Sequence, residues 1–301
     1  MDRFEAMSLL LAVVEKGSLS AAGRALRVPV PTLSRKLSEL EALLGTRLLI
    51  RTTRKLTLTD AGLAYVVAAR RILEQLDEAE REAAGEFTSP KGDLVVTAPI
   101  LFGRLHVLPV VVDFLAAFPE INVRLVLSDR NVDLVGDHVD MAVRIGALPD
   151  SSMVATRVGS MRSVVCGAPV LIAKYGEPAM PQDLVRFPCV SIDTFLTITA
   201  WQFRAPGTRA LVEVPVRPRL LVSTAEAAAR AATMGVGLTQ LYQYQVADAV
   251  AAGDLRILLA DYEIDPPPIN LIHASRGQLP LKMRRFLDFA APRLRERTAE
   301  V

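Results

Sequence analysis

The sequence is poor in the features that mark enzymes, metal proteins and disulfide-linked proteins. Its 301 residues include two cysteines, Cys166 and Cys189, which form no CxxC pair, and three scattered histidines without HxH or HxxxH spacing. So few thiols favour a reducing compartment, and the histidine spacing does not favour a metal site. GxSxG, HExxH and P-loop motifs are missing, and no pair of acids stands out from ordinary surface charge. We therefore expect no enzyme activity, no metal and no cofactor.

Signals of export and of membrane insertion are also missing from the sequence. The first 18 residues mix Asp2, Arg3 and Glu5 with apolar residues, and no positive region precedes an uninterrupted apolar block and a cleavage site. By inspection, no apolar run reaches the roughly 18 residues that span a bilayer. We expect a cytoplasmic protein with enough apolar residues and enough length for two or three domains.

The charge of the chain is nearly balanced, but one segment is strongly basic. Between Arg24 and Leu58 there are eight basic residues and two acids, Glu39 and Glu41, a net charge of +6 against +2 for the whole chain. A local excess of this kind attracts phosphate. Taken alone, a basic segment is more typical of a solvated face on an ordinary helical domain, so the DNA-binding interpretation depends on the sequence pattern around it.

That pattern, over residues 17–59, predicts a helix-turn-helix followed by a wing. Ser18 is a typical N-cap for a short helix at 19–26, and Pro31 suits the first turn of a second helix that ends at Gly45. One face of the second helix is apolar and the other polar, with Leu33, Leu37, Leu40 and Leu44 against Thr32, Ser34, Arg35 and Lys36. Two short strand-like runs at 47–50 and 55–59 flank a polar turn. The arrangement favours DNA binding.

Two longer helices flank this motif. A helix at 4–16 carries a stripe that we expect to be buried, formed by Phe4, Met7, Leu11 and Val14. After a cap at Thr59 and Asp60, a long helix is predicted to run to about residue 87. Its heptad-like seam consists of Val66, Ala69, Leu73, Leu76, Glu80 and Ala83. This helix either packs on its own domain alone or, as we favour, links two subunits.

After a break at 88–92, strand and helix patterns alternate, which implies a parallel sheet with covering helices. The first three strands and two helices follow a β-α-β-α-β order. The predicted strands are 93–98, 122–128, 141–145, 163–166, 189–193, 201–203, 211–216, 219–221, 236–238, 255–258 and 269–273. The predicted helices are 105–118, 132–137, 169–175, 225–233, 242–251 and 281–297.

End to end, the chain resembles the LysR-type transcriptional regulators. The resemblance lies in FEAMSLLLAVVEKGSLSAAGRAL, in TLSRKLSELEALLGTRLLIRTTRKLTLTDAG and in SDRNVDLVGDHVDMAVRIGALPDSS. It implies an α/β protein with an N-terminal all-α winged helix-turn-helix (1–59), a dimerising linker helix (60–89) and a two-lobed effector domain similar to type 2 periplasmic binding proteins (90–301). Lobe I would hold about 90–161 and 266–301, and lobe II about 162–265. The family also implies homotetramers built as dimers of dimers, and RNA polymerase is a further candidate partner.

The resemblance assigns DNA contacts residue by residue. The second helix would place Pro31, Thr32, Ser34 and Arg35 at the groove of a palindromic operator and Lys36 on a phosphate. Ser18 and Ser20 would meet the backbone, and Arg51, Thr53 and Arg54 would reach phosphates or the minor groove from the wing. Pro29-Val30-Pro31 departs from the polar residues usual in the family, which reduces the side-chain donors at the helix tip.

The effector is expected between the lobes, outside the carboxyl ends of the strands. Thr97 and the following helix start would seat a carboxylate of a small organic molecule, and Phe102 and Phe195 would supply apolar walls. The full candidate set is Thr97, Ala98, Pro99, Phe102, Ser128, Ile145, Gly146, Thr194, Phe195, Ser223, Thr224, Gly235 and Leu238. Each Ser or Thr is at least as typical of an ordinary helix cap.

Other classes of function stay open at this point. Cys166 and Cys189 are compatible with a redox switch, as in peroxide-sensing relatives, although buried structural thiols are commoner. A solute-binding protein or an enzyme on the C-terminal fold, or an architectural DNA-binding protein without a ligand, is not excluded by fold analogy.

Overall fold

The computed structural model describes residues 2–51, 56–83, 90–130, 132–134, 136–146, 153–192, 200–205, 207, 210–274 and 279–299. These residues form two compact units, Met1–Gly92 and Asp93–Val301. The first unit is mostly helical and the second mixes strands and helices, which confirms the predicted fold class.

The first unit contains the predicted helix-turn-helix and wing. Its helices are α1 (Arg3–Lys16), α2 (Leu19–Leu26), α3 (Val30–Leu44) and α4 (Asp60–Ala83), and its strands are β1 (Leu49–Arg51) and β2 (Leu56–Leu58). The strands pair antiparallel, with Leu49 opposite Leu58 and Arg51 opposite Leu56. The predicted continuation of α4 to residue 87 lies outside the described residues.

The buried face of α1 differs from the predicted stripe. Ala6, Leu9, Leu10 and Val13 join Met7 in the core, whereas Phe4 is 45% exposed and Leu11 and Val14 are only partly buried. The reason is that α1 packs against α2, α3 and α4 together, so its buried face is turned toward all three. In α3, Leu33, Leu37 and Leu40 are buried as predicted, but Leu44 at the helix end is 39% exposed.

The second unit begins and ends in one five-stranded sheet. Its strands are β3 (Gly92–Ala98), β4 (Ile121–Leu127), β5 (Met141–Ile145), β6 (Val154–Ser160) and, from the end of the chain, β14 (Pro268–His273), in the order β4-β3-β5-β14-β6. Strands β3 and β5 are parallel, but β14 is antiparallel to both β5 and β6. The prediction of a parallel sheet is therefore only partly right, because β14 returns to the sheet from the other direction.

Two helices cover this sheet, α5 (Ile100–Ala117) and the last helix (Leu281–Ala299). We call the five-stranded sheet with these helices lobe I. A π-helical turn, Gly103–Val107, lies inside α5. None of the described residues among 132–137 is helical, and Leu134, Gly136 and Asp137 lie in turns, so the helix predicted there is wrong. Strand β6 was missed because its sequence lacks an apolar run.

Lobe II consists of the elements between β6 and β14. Its strands are β7 (Ser163–Gly167), β8 (Cys189–Ile192), β9 (Ala200–Arg204), β10 (Leu211–Pro215), β11 (Pro218–Val222), β12 (Thr239–Tyr242) and β13 (Arg256–Leu258). Its helices are α6 (Pro169–Tyr175), α7 (Ala225–Thr233) and α8 (Gln243–Ala251), which makes the final helix of the chain α9. The strand predicted at 236–238 lies instead at Thr239–Tyr242, where it pairs with β7.

Helix α5 is apolar and long enough to meet the length and composition of a membrane span, contrary to the expectation from the sequence. It is also a core helix, because Phe102, Val107, Val110, Val111 and Phe114 pack into the hydrophobic core of lobe I. The same composition follows from packing one face against the sheet, so the helix is weak evidence for a membrane segment.

Candidate functional sites

The turn between α2 and α3 is fixed by short-range contacts. Ser18 caps α2 as predicted, with its Oγ accepting the Ala21 N–H at 3.1 Å. Gly23 is buried, and a Cβ there would lie 2.8 Å from the carbonyl oxygen of Val28. Arg27 ends α2 with a left-handed backbone at φ 57°. These contacts set the angle at which α3 leaves the turn.

The start of α3 presents a mixed polar and apolar surface. Pro29 is the N-cap and has no side-chain acceptor, so the first N–H groups of the helix keep their positive partial charge. Pro31 and Arg35 are exposed, and Thr32 and Ser34 are partly buried. The Arg35 guanidinium lies against the Glu39 carboxylate, with an Nη1–Oε1 distance of 2.5 Å. This pair holds the guanidinium along the outer face of the helix.

Lys36 was predicted to contact phosphate, and the structure places it elsewhere. Its ammonium forms an ion pair with the carboxylate of Glu5 on α1, and the lysine side chain is only 22% exposed. A phosphate contact would therefore require this pair to break. The physical reason is helical periodicity, since position 36 follows the exposed position 35 by about 100° and turns toward α1.

The wing is attached to the helices through the side chains of Glu41 and Thr59, of which Thr59 is the predicted cap of α4. Glu41 on α3 accepts the backbone N–H groups of Leu48 and Leu49 at 2.8 and 3.0 Å. Thr59 donates to the Arg47 carbonyl at 2.7 Å and caps α4 by accepting the Gly62 N–H at 2.9 Å. Arg51 ends β1, but its side chain and all of Thr53 and Arg54 lie outside the described residues, and Ser20 is exposed on α2.

In lobe I, the groups predicted to bind an effector carboxylate already form hydrogen bonds within the protein. The Thr97 hydroxyl is fully buried and donates to the Val126 carbonyl at 2.8 Å, so it has no proton left for a ligand. At the start of α5, the Ile100 N–H donates to the Asp129 carboxylate at 2.9 Å. Asp129 thus supplies the negative charge that the N-terminus of a helix favours. A ligand contact at Thr97 stays a prediction, and it would compete with the hydrogen bond from this hydroxyl to the neighbouring strand.

Around this point, the ends of β3, β4 and β5 come together as predicted. Ala98 is buried, Pro99 is partly buried, and the Ala98 carbonyl accepts the Ser128 N–H at 2.9 Å. Arg144 donates from Nη1 to the Val143 carbonyl at 3.1 Å. Burial lowers the pKa of the Arg144 guanidinium, and the charge of Asp129 opposes that shift. Ile145 and Gly146 are partly buried at the end of β5, and Gly146 adopts φ 113°.

Several other candidate residues turn out to be structural. Phe102 is fully buried, with its ring centroid 5.7 Å from that of Tyr244, and Leu238 is fully buried in the core of lobe II. Neither can form a wall that faces solvent. Thr224 caps α7 by accepting the Ala227 N–H at 3.3 Å, and Gly235 has a left-handed backbone at the end of that helix. Ser223 is exposed. Thr194 and Phe195 lie outside the described residues.

The two thiols are not placed for redox chemistry. Cys166 and Cys189 are fully buried. Burial raises the pKa of both thiols from the usual 9.0 to about 12. The thiolate is the reactive form of cysteine, so both groups are protonated and poorly reactive at neutral pH.

Comparison with known proteins gives the same domain order. Residues 4–63 match the family described as "Bacterial regulatory helix-turn-helix protein, lysR family", and residues 88–295 match the "LysR substrate binding domain". An HTH-type transcriptional regulator of Xanthomonas campestris pv. campestris (strain 8004) is 36% identical over 290 residues, covering 95% of this chain and 84% of that protein. PtxR of Pseudomonas aeruginosa is 34% identical, covering 92% of this chain and 88% of that protein.

The fold is also that of solved relatives. The structure of CrgA, a LysR-type transcriptional regulator from Neisseria meningitidis, is similar with a TM-score of 0.60 and 30% identity, covering 96% of this chain and 98% of that one. Sequence and structure therefore agree along nearly the whole chain. The chain belongs to the LysR family of transcriptional regulators, with a DNA-binding helix-turn-helix and an effector-binding domain.

Proposed function

We propose that this regulator binds a palindromic operator through α3 and that a small organic effector between lobes I and II changes operator binding or DNA bending. The observation that carries the first part is the start of α3, where an uncapped helix N-terminus lies beside Pro31, Thr32, Ser34 and the exposed Arg35. This combination of donors, apolar surface and positive charge suits base edges and phosphates in a major groove.

The proposed assembly is a dimer formed through the linker helix, at 60–89, between a DNA-binding domain at 1–59 and an effector domain at 90–301. In the described part of α4, Leu63 and Ile72 are exposed apolar residues and Leu73 and Leu76 are only partly buried, which leaves apolar surface for a second copy. A homotetramer would place four helix-turn-helix motifs on DNA. Contact with RNA polymerase would then convert the arrangement of subunits into transcription, in the cytoplasm.

Effector binding would act by favouring one arrangement of the lobes over another. A ligand shifts such an equilibrium only through different affinity for the two arrangements. Because Asp129 fills the seat at α5, we propose contacts at Ser128, Ile145, Gly146 and Ser223 in place of Thr97. A carboxylate on the effector remains a prediction, and its contact with Thr97 or the start of α5 would require the hydrogen bonds to Val126 or Asp129 to break. The buried thiols argue against the alternative of a cysteine-based switch.

The operator-binding proposal is tested by fluorescence anisotropy on DNA from upstream of the gene. Removal of the guanidinium in Arg35→Ala should weaken binding by about 1–3 kcal/mol if it contacts a base edge. Glu39→Gln is the matched control, because it breaks the same ion pair but keeps the guanidinium, and it should keep near-normal affinity. Wild-type affinity in Arg35→Ala would contradict the assignment of α3.

The effector proposal is tested on the full-length protein by a thermal-shift screen of small aromatic and aliphatic acids and their neutral amides. A compound that binds only the folded state raises its stability in proportion to the logarithm of concentration. Such a compound should also change operator affinity in the wild type and raise the midpoint of Arg35→Ala equally. If no compound in the screen shifts the midpoint or the affinity, a ligand-free architectural protein becomes the better explanation.

A further inference from the structure

The two chain segments that cross between the lobes run side by side. Ser160, the last residue of β6, pairs with Pro268 of β14, and the next residue, Met161, donates its N–H to the Pro267 carbonyl at 2.9 Å. The ladder of the lobe I sheet therefore continues to the border of lobe II. Pro266, Pro267 and Pro268 restrict the backbone of the second crossing, since each fixes its own φ.

Just beyond this ladder, one ion pair joins the two crossings. Arg162 donates to Glu263 through Nε, 2.5 Å from Oε2, and through Nη2, 2.9 Å from Oε1. The Glu263 side chain is 13% exposed and that of Arg162 is 40% exposed. Two parallel bonds to a mostly buried carboxylate give stronger orientation than a single surface contact. The hydrogen bond with Glu263 raises the pKa of the Arg162 guanidinium, so the guanidinium stays charged.

The pair also reaches the first turn of α8 in lobe II. Arg162 Nη1 lies 3.4 Å from the Gln243 Oε1, and the Gln243 N–H donates to the Arg162 carbonyl at 2.9 Å. The next residue, the buried Tyr244, packs its ring edge-on against Phe102 in the core of lobe I. Arg162 is thus the point where both crossings and the start of α8 are joined.

We propose that Arg162 and Glu263 clamp the two crossings and limit how far the lobes open relative to each other. The regulatory consequence rests on the effector function proposed above. An effector that closes the lobes must restrict the motion of the two crossings, which costs conformational entropy. Crossings that are already clamped lose less entropy when the effector binds. The clamp therefore raises effector affinity by preorganising the hinge, while operator affinity without effector depends on α3 and is little changed.

The chain offers a matched control for this pair. Arg256 and Glu177 also form an Arg–Glu pair, with an Nη2–Oε2 distance of 3.1 Å, but both side chains are 53% exposed and both belong to lobe II. Glu263→Gln and Glu177→Gln make the same chemical change, and glutamine keeps the volume of glutamate. Arg162→Lys keeps the positive charge but loses the two-pronged geometry.

The first measurement is amide hydrogen exchange on the full-length protein without DNA or effector. Exchange at Met161 and Gln243 should be roughly tenfold faster in Glu263→Gln, because a charge-assisted hydrogen bond near these amides is lost. Arg162→Lys should show a smaller increase, and Glu177→Gln none at these two amides. Exchange of the lobe I core amide of Leu271, paired with Val143, serves as the check that the fold is intact.

The exchange experiment tests the clamp, and the ligand experiment tests the proposed effector function. Equal exchange at Met161 and Gln243 in Glu263→Gln and wild type, or an equal increase in Glu177→Gln, would overturn the clamp. For a compound found in the thermal-shift screen, the dissociation constant measured by isothermal titration calorimetry should rise several-fold in Glu263→Gln and stay unchanged in Glu177→Gln. An unchanged constant in Glu263→Gln would overturn the regulatory role of the clamp. If the hinge loosens as expected but no compound shifts the wild type, the clamp stands and the effector function fails.

Discussion

The two units of the molecule differ in how far apart in sequence their decisive contacts lie. In Met1–Gly92 several contacts that shape the DNA-binding surface are local, such as Ser18 with Ala21, Arg35 with Glu39 and Glu41 with Leu48. In Asp93–Val301 they join distant residues, as Asp129 does with Ile100 and Glu263 with Arg162, 29 and 101 positions apart. Local contacts can be read from residue spacing, whereas distant ones depend on the path of the whole chain.

The largest expected effect disturbs a tight contact of the first unit, between Gly62 and Leu48. A Cβ on Gly62 would lie 2.0 Å from the Leu48 carbonyl oxygen, which is backbone and cannot rotate away. Although alanine is favoured over glycine in a helix by about 1 kcal/mol, Gly62→Ala should lower the free energy of unfolding by about 3 kcal/mol or more. Urea denaturation with Ala64→Gly as the control for propensity measures this, and a stabilised Gly62→Ala would contradict it.

An intermediate effect is expected at the start of α5. Asp129→Ala removes the acceptor of the Ile100 N–H and should lower the free energy of unfolding by about 1–2 kcal/mol. The start of α5 should then bind a small anion in place of the Asp129 carboxylate. Sodium acetate should therefore raise the thermal midpoint of Asp129→Ala more than sodium chloride of equal ionic strength does. Asp129→Asn, which keeps an oxygen acceptor, should lose less stability and respond less. Equal shifts of the thermal midpoint by acetate in Asp129→Ala and wild type would show that the Asp129 carboxylate does not occupy an anion site at the start of α5.

The smallest effect at neutral pH is expected from the thiols of lobe II. Burial raises the pKa of both thiols in the folded protein to about 12, from the usual 9.0 of an exposed thiol. Below pH 9 the thiols are therefore protonated in the folded and the unfolded protein, and their contribution to stability is complete. As pH rises from about 9 to about 12, the unfolded state ionises first and the free energy of unfolding falls. Chemical denaturation against pH should show a steeper fall in wild type than in the Cys166→Ala, Cys189→Ala double variant. Parallel curves would contradict the assigned burial of the thiols.

Within the second unit, sequence patterns predicted helices and strands better than they predicted sites. Pro169–Tyr175, Ala225–Thr233 and Met141–Ile145 have the predicted ends, because proline, a threonine cap and an apolar run mark them. Thr97 had the residue type and strand-end position of a ligand contact. Its hydroxyl donates to the Val126 carbonyl, 29 positions away, and no local spacing predicts that contact.

The sequence alone determined the helix-turn-helix, the wing and the alternation of strands and helices in the second unit. The reason is that caps, left-handed helix ends and apolar periodicity act within about four residues. Only the tertiary structure decided which face of α1 is buried, that Lys36 pairs with Glu5, and that β14 returns antiparallel into the sheet of lobe I. It also decided that Asp129 caps α5 and that Arg162 meets Glu263. These outcomes depend on partners that the chain brings back from far away, and no local spacing encodes them.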